Sequence, residues 1–356
     1  MEFMIELLRE VVETDASDLF ITVGLPPMLK IGGSIVPRKD DAVIHQDDAE
    51  RYARQLFVHD RDYQSFLEHG EVDFSFSLPE IGRFRVNVFQ QRGSFAISVR
   101  RIFTVLPDPK KLGIPAAIMD LADERKGLVL VTGPTGCGKT TTLAALIDRI
   151  NQTRACHILT LEDPIEYLHH HRHSIVNQRE IGSDSRNYQH ALRAALRQSP
   201  DVILIGEMRD LETISIALTA AETGHLVFST LHTVGAAKTI DRIIDVFPPE
   251  QQQQIRVQLS TVLQAVVSQQ LIPTRTGDRL PAFEIMKANS AVRNMIRDGK
   301  VPQIDGVIQM NAAAGMMSMD RSVAGLLMNQ LIGEAEAMLY SVNQEALRRF
   351  AGLPPA

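Results

Sequence analysis

The chain has 356 residues, with 37 Lys and Arg against 43 Asp and Glu; its 44% apolar and 22% charged content matches ordinary globular proteins and excludes a disordered or membrane-embedded class. At about 150 residues per domain, two domains are expected, and a formal charge of −6 removes the global case for a basic nucleic-acid binder, although a local basic groove survives such an average. Only Cys137 and Cys156 are present, without a C-x-x-C pair, so neither a disulfide framework nor a thiolate zinc site can be built and a reducing compartment fits.

The chain opens Met1-Glu2-Phe3-Met4-Ile5-Glu6, acidic where a secretory signal carries positive charge. No apolar run approaches the roughly 20 residues that span a bilayer. A cytoplasmic protein is expected, with no direct membrane insertion and any attachment made through partners. Ile5 to Val12 reads as helix, followed by short alternating strands such as 18–22 and 83–88, with turn signals at Gly24-Leu25-Pro26-Pro27 and Gly32-Gly33. Paired short strands with few helices predict a small α+β domain over 1–105. Pro107, Pro109, Gly113 and Pro115 mark 106–124 as a linker.

From 125 to 356 the rhythm changes. Apolar runs of strand length at 128–131, 157–161, 202–205 and 226–228 alternate with helical patterns at 140–150, 188–197 and 212–222. This is the signature of βαβ units on a parallel sheet, an α/β domain. Beyond about 250 the pattern reads as mainly helical.

Gly133-Pro134-Thr135-Gly136-Cys137-Gly138-Lys139-Thr140 matches G-x-x-x-x-G-K-[ST] between an apolar strand and a helix, the context that pattern requires. Its glycines let backbone N–H groups turn inward around a phosphate, and the helix N-terminus adds partial positive charge. Lys139 would reach the β- and γ-phosphates and Thr140 would hold Mg²⁺, which makes ATP and Mg²⁺ the expected ligands. Cys137 inside the loop reads either as a small residue tolerated where the backbone binds or as a redox switch.

Two apolar runs end in acid, 157–161 at Glu162-Asp163 and 202–205 at Gly206-Glu207. Ligands bind at the carboxyl ends of strands in an open parallel sheet, so both acids should face the phosphates. One could orient or deprotonate water and the other hold Mg²⁺ through its waters. A helix-capping or salt-bridging acid is the competing reading of either alone.

Four segments in order, Gly133 to Thr142, Leu161 to Tyr167, Pro200 to Asp210 and Thr223 to Thr233, resemble the Walker A, Asp box, Walker B and His box of the type II and type IV secretion ATPases. The segments 176–180 and 291–297 are similar to those of the PilT-like pilus retraction ATPases, the second to a C-terminal motif linked there to retraction. The similarity runs from Ser17 to about Asp320. It implies a PAS-like N-terminal domain, a RecA-like P-loop ATPase domain and a homo-hexamer that drives pilus retraction and twitching. On the family pattern Glu162 is the general base, Glu207 the Walker B acid, His232 a γ-phosphate sensor and His225 its support, with Thr141 completing the nucleotide loop. Arg85 and Arg100 fall where the family's arginines reach nucleotide across domains or subunits, a task suited to an always-charged, forked donor. Solvated residues on a strand face are the plainer reading. Arg193 and Arg197, four apart, are weaker candidates. The partners implied are an inner-membrane pilus platform protein and a paralogous pilus ATPase, with no nucleic acid.

Two stretches depart from the family pattern. The His-rich run His169-His170-His171 with His173 tempts a metal reading, but without Cys or a spaced acid a surface turn is expected. Gly315-Met316-Met317-Ser318-Met319-Asp320 substitutes Met at core positions, which Met can fill. Three other functions compete with a retraction motor. An assembly or secretion motor would usually be longer and carry a four-cysteine insert, a low-turnover scaffold would lack the full set of acids, and a DNA translocase is disfavoured by charge.

Overall fold

The computed structural model describes residues 2–38, 42–57, 59–78, 80–102, 106 and 108–354. Of the linker prolines, Pro107 lies outside them. The chain divides into two compact units, 1–105 with 166–168, and 106–165 with 169–356.

In the first unit, β1 (Asp18–Ile21), β2 (Met28–Ile31), β3 (Ser34–Pro37), β4 (Glu71–Leu78), β5 (Gly82–Gln91) and β6 (Ser94–Ile102) form one sheet in the order β3-β2-β1-β6-β5-β4. Every pair is antiparallel. The helices α1 (Glu2–Glu13), α2 (Gln46–Leu56) and α3 (Asp60–His69) contribute Leu7, Leu8, Tyr52 and Phe66 to a core shared with Val86, Val88 and Val99 of the sheet. The alternating sequence of β5 explains its place: Phe84, Val86 and Val88 are buried while Arg83, Arg85 and Asn87 face outward. Because strand residues alternate faces and β5 pairs β6 with Arg85 opposite Arg100, these two arginines share a face.

The second unit begins with a short helix, α4 (Ala116–Met119), so the expected linker stretch holds ordered helical turn. Its sheet comprises β7 (Gly127–Thr132), β8 (His157–Glu162), β9 (Ile175–Glu180), β10 (Val202–Ile205), β11 (Leu226–Leu231), β12 (Leu263–Pro273) and β13 (Arg279–Lys287), in the order β13-β12-β7-β11-β10-β8-β9. All neighbours are parallel except β12 and β13. Strands β7, β10 and β11 are buried along their whole length, as a sheet covered on both faces requires. One face packs against α4 and α5 (Lys139–Thr153). The other packs against α6 (Tyr188–Ala195), α7 (Leu211–Glu222), α8 (Ala236–Asp245), α9 (Pro249–Val262), α10 (Ser290–Arg297) and α11 (Ile304–Met310). The last helices, α12 (Met319–Met328), α13 (Glu334–Tyr340) and α14 (Gln344–Ala351), close a smaller cluster around Ile272 and Ala282.

The region beyond 250 is mainly helical, as expected, but it also contributes the hairpin of β12 and β13. Helix α9 passes into β12 at Leu263 without a loop, and β12 runs for 11 residues before pairing back on β13. Its Gln and Ala residues carry little strand signal, but the sheet edge beside β7 needs a partner for its backbone groups, and that need overrides local propensity. Helix α6 also ends earlier than expected, at Ala195, so Arg197 lies beyond it and does not share a helical face with Arg193. Met316 and Met319 are buried, consistent with methionine filling core space.

Candidate active site

The loop 133–138 leaves the carboxyl end of β7 and enters α5 at Gly138, whose left-handed φ of 88° is the helix N-cap. At Gly133, φ is 139°, and a side-chain carbon there would stand 2.1 Å from the carbonyl oxygen of Gln269. The loop is therefore tight and backbone-lined, and α5, 15 residues long, aims its amino end at it. Lys139 is buried and lies across the loop, its Nζ donating to the carbonyls of Gly133 at 2.8 Å and Pro134 at 3.1 Å. Thr140, on the first turn of α5, is half-buried, and its hydroxyl has no protein partner among the described residues. Thr141 follows it on the same turn.

Two acids stand at the ends of neighbouring strands. Glu162 ends β8 and is 6% exposed; its Oε1 accepts from Thr160 Oγ1 at 2.6 Å and from Gln178 Nε2 at 3.2 Å. Glu207 follows β10, which pairs directly with β8. Its Oε2 is 2.8 Å from Arg209 Nε and its Oε1 is 3.0 Å from His232 Nε2. His232 follows β11, and its Nδ1 lies 3.4 Å from Thr135 Oγ1 in the phosphate loop. The loop, the second acid and the histidine are thus brought into one constellation. A cavity of about 430 Å³ opens beside it, with Met208, Ile214 and Leu231 as apolar lining and Arg209 and Arg242 as its cations.

Other predicted site residues take different places. His225 precedes β11, whereas His232 follows it, so the six-residue strand holds them roughly 20 Å apart. The structure does not bring His225 to the loop. Its Nδ1 instead lies 2.9 Å from the carbonyl oxygen of Ala220, and its own carbonyl accepts from the Gly127 amide. In the first unit Arg100 Nε donates to the buried Asp18 at 2.8 Å, and Arg85 Nε lies 3.6 Å from Asp73. Directly opposed like charges destabilise a sheet unless something compensates them, and each guanidinium has an acid beside it. Arg193 pairs with Glu212 of α7. Cys137 is buried, and burial pushes its thiol up against the opposing pull of Lys139. A thiol held protonated in this way is a poor nucleophile, which weighs against the redox switch. In the histidine stretch, His170, His171 and His173 are exposed, with His171 Nδ1 accepting from the Val176 amide. His169 turns inward, and burial pushes its imidazole down to about 4.

Three residues near the site were not among the site residues expected from sequence. Tyr188 opens α6 with its hydroxyl over Gly206, and burial together with Asp163, Glu162 and Glu207 pushes its phenol far up. Glu180 ends β9 opposite Glu162 and holds the turn after that acid through the Ile165 amide. Gln269, on β12, hydrogen-bonds Cys137 and Thr142. Patterns of acid at strand ends could have flagged Glu180. Nothing in the sequence marks the other two.

The loop fits nucleotide phosphates on its own geometry: backbone turned by left-handed glycines, a helix N-terminus, a lysine and a threonine hydroxyl, with acids from neighbouring strands. A phosphate loop between β7 and α5, with Glu207 and His232 beside it and Glu162 at the end of the neighbouring strand β8, has the make-up of a P-loop nucleoside triphosphatase of the α/β class. Residues 85–321 match the family model described as type II/IV secretion system protein. The chain is 46% identical over 336 residues to the type IV pilus retraction ATPase PilT of Pseudomonas aeruginosa, covering 93% of this chain and 96% of that one. It is 48% identical over 291 residues to the twitching motility protein of Neisseria gonorrhoeae, covering 82% and 78%. The crystal structure of the pilus retraction motor PilT with bound ADP superposes with a TM-score of 0.91 at 47% identity, covering 97% of this chain and 98% of that one. The chain belongs to the type II/IV secretion system protein family and is an ATPase of that family. Among the described residues no helix is long and apolar enough to cross a membrane.

Proposed function

We propose that this chain is the retraction motor of a type IV pilus, a homo-hexameric ring that hydrolyses ATP to drive twitching. The observation that carries the chemistry is the joining of the phosphate loop to Glu207 through His232. The ATP phosphates lie on the amides of 133–141, with Lys139 at the β- and γ-phosphates. Glu162, oriented by Thr160 and Gln178, takes a proton from water as the water oxygen bonds to the γ-phosphorus. The bond from that phosphorus to the β,γ-bridging oxygen breaks, and ADP carries the released charge. His232 senses the γ-phosphate and reports its presence to Glu207. Thr140 and Glu207 would hold magnesium, which would supply charge neutralisation at the phosphates. Arg85 and Arg100 add always-charged donors for the transition state. The ring works at the cytoplasmic side of the inner membrane, attached through the pilus platform protein.

The test is hydrolysis of MgATP by the purified chain, with Lys139→Ala losing nucleotide and Glu162→Gln or Glu207→Gln retaining ATP without turnover. Wild-type turnover no faster than these variants would defeat the reading. In cells, loss of the chain should leave piliated bacteria that do not twitch. A bald cell would instead mark an assembly motor, the second reading, and an unchanged cell an accessory paralogue.

A further inference from the structure

The phosphate loop is held from outside by a residue on a different strand. Gln269 lies on β12, 4% exposed. The register Ser268 to Thr132 sets Gln269 abreast of Gly133, where the loop leaves β7. Its Nε2 donates to the Cys137 carbonyl at 2.7 Å, and its Oε1 accepts from Thr142 Oγ1, also at 2.7 Å. A carbonyl can only accept, so the amide has one orientation that satisfies both partners. The same residue crowds both flanking glycines. A side-chain carbon would meet the Gln269 carbonyl oxygen at 2.1 Å from Gly133 and Gln269 Nε2 at 2.9 Å from Gly138.

We infer that Gln269 is a positioning residue of the phosphate loop, which fixes the Cys137–Gly138 peptide so that the Gly138 amide is available to the nucleotide phosphates. A trans peptide points its C=O and N–H in opposite directions. Pinning the Cys137 carbonyl on Gln269 therefore sends the Gly138 N–H away from β12, into the turn of the loop. Without the pin, the glycine at Gly138, with its left-handed φ of 88°, leaves that peptide room to rotate. Thr142, one turn into α5, completes the fork, so loop and helix are held as one piece. Ser268, next along β12 and on the opposite face, accepts from the Gly235 amide in the segment that follows His232. Adjacent residues of one strand thus hold the two loops that face the γ-phosphate.

This inference rests on the assignment of 133–140 as a nucleotide site, and the experiment separates the two. MgADP affinity is measured by titration calorimetry on the full chain from pH 8 to pH 5.5, for wild type, Lys139→Ala, Gln269→Glu and Thr142→Val. At pH 8 the carboxylate introduced by Gln269→Glu would offer acceptors to an acceptor, and this variant is expected to bind MgADP about tenfold more weakly. As pH falls the buried carboxyl takes a proton and becomes a donor again, so its affinity relative to wild type recovers. A structural role alone does not produce that pH-dependent rescue. An affinity loss that is equal at both pH values, or a Kd within twofold of wild type at pH 8, overturns the inference. Should Gln269→Glu fail to fold, Thr142→Val carries the test. It removes one arm of the fork, and about a threefold loss supports the inference while a Kd within 1.5-fold, roughly the spread of such titrations, overturns it. Wild type that fails to bind MgADP overturns the nucleotide site itself, a result distinct from Gln269→Glu behaving as wild type while Lys139→Ala loses binding.

Discussion

Nε2 of His232 lies 3.0 Å from Oε1 of Glu207, while Nδ1 of the same ring faces Thr135 Oγ1 in the phosphate loop at 3.4 Å. One imidazole therefore touches both the loop that binds phosphate and the acid that follows β10. The contact exists because β11 lies between β7 and β10 in the sheet, so the residue that follows its end has the loop on one side and Glu207 on the other. His232→Ala should leave MgADP affinity within a few-fold of wild type and lower kcat for ATP by about 100-fold, the scale of losing one aligned donor at a reacting phosphate. Phosphate release under saturating ATP measures it. Turnover within threefold of wild type would remove His232 from the mechanism.

The two cysteines differ in what surrounds them. Cys137 is buried in the loop and its thiol is pushed up by burial, whereas Cys156 is half-buried. Thiolate is the reacting form, so alkylation of native protein at pH 8 should modify Cys156 at least about tenfold faster than Cys137. Peptide mass mapping against time reads the two rates. Preferential labelling of Cys137 would reopen the redox reading.

Much of the site was legible because its chemistry is written in contiguous segments. The loop motif, the strand-end acids and the histidine after β11 each combine an apolar run with a polar residue at its end, and a parallel sheet collects such ends on one edge. His225 shows where that logic stops, since spacing within a motif does not say which end of the strand a residue occupies. β12 and Gln269 were illegible for a different reason. Gln269 meets Cys137 across 132 positions of sequence, and a glutamine in a Gln-rich stretch announces no role until the register of β12 on β7 is known.

His169 sets a pH dependence of stability. Its imidazole is held down to about 4, chiefly by burial, against the opposing pull of Asp148 and with Arg172 and His170 adding to it, from an unfolded value of 6.5, and its Nδ1 has no hydrogen-bond partner among the described residues. Between those values the unfolded chain carries the proton and the folded chain does not. Stability is thus fully present above pH 6.5 and falls as pH drops toward 4, by on the order of 2 kcal/mol from this group. Other groups titrate in the same window, so the comparison is with His169→Leu, whose loss between pH 7 and pH 4.5 should be smaller. Urea denaturation at the two pH values checks it, and parallel losses in both proteins would rule out His169 as the cause.

Gly206 separates the two acid-bearing strand ends, and its backbone φ is not of the left-handed kind. The obstacle to a side chain there is space alone. An added carbon would stand 2.7 Å from the Tyr188 hydroxyl and 3.3 Å from the Leu161 carbonyl oxygen. Gly206→Ala should therefore displace α6 or β10 and cost about 2 kcal/mol, with loss of turnover as Glu207 moves. Removing the hydroxyl by Tyr188→Phe takes away the closest clash but not the Leu161 contact. The double variant should accordingly be more stable than Gly206→Ala by about 1 kcal/mol, a coupling that a double-mutant cycle in urea resolves. Tyr188→Phe alone separates the hydroxyl's packing role from a chemical one. Its phenol stays protonated throughout the working range, because burial and the three nearby carboxylates oppose its ionisation. The alkaline limb of the pH–rate profile should then be the same in Tyr188→Phe as in wild type, and a shifted limb would assign the tyrosine a titrating part in hydrolysis.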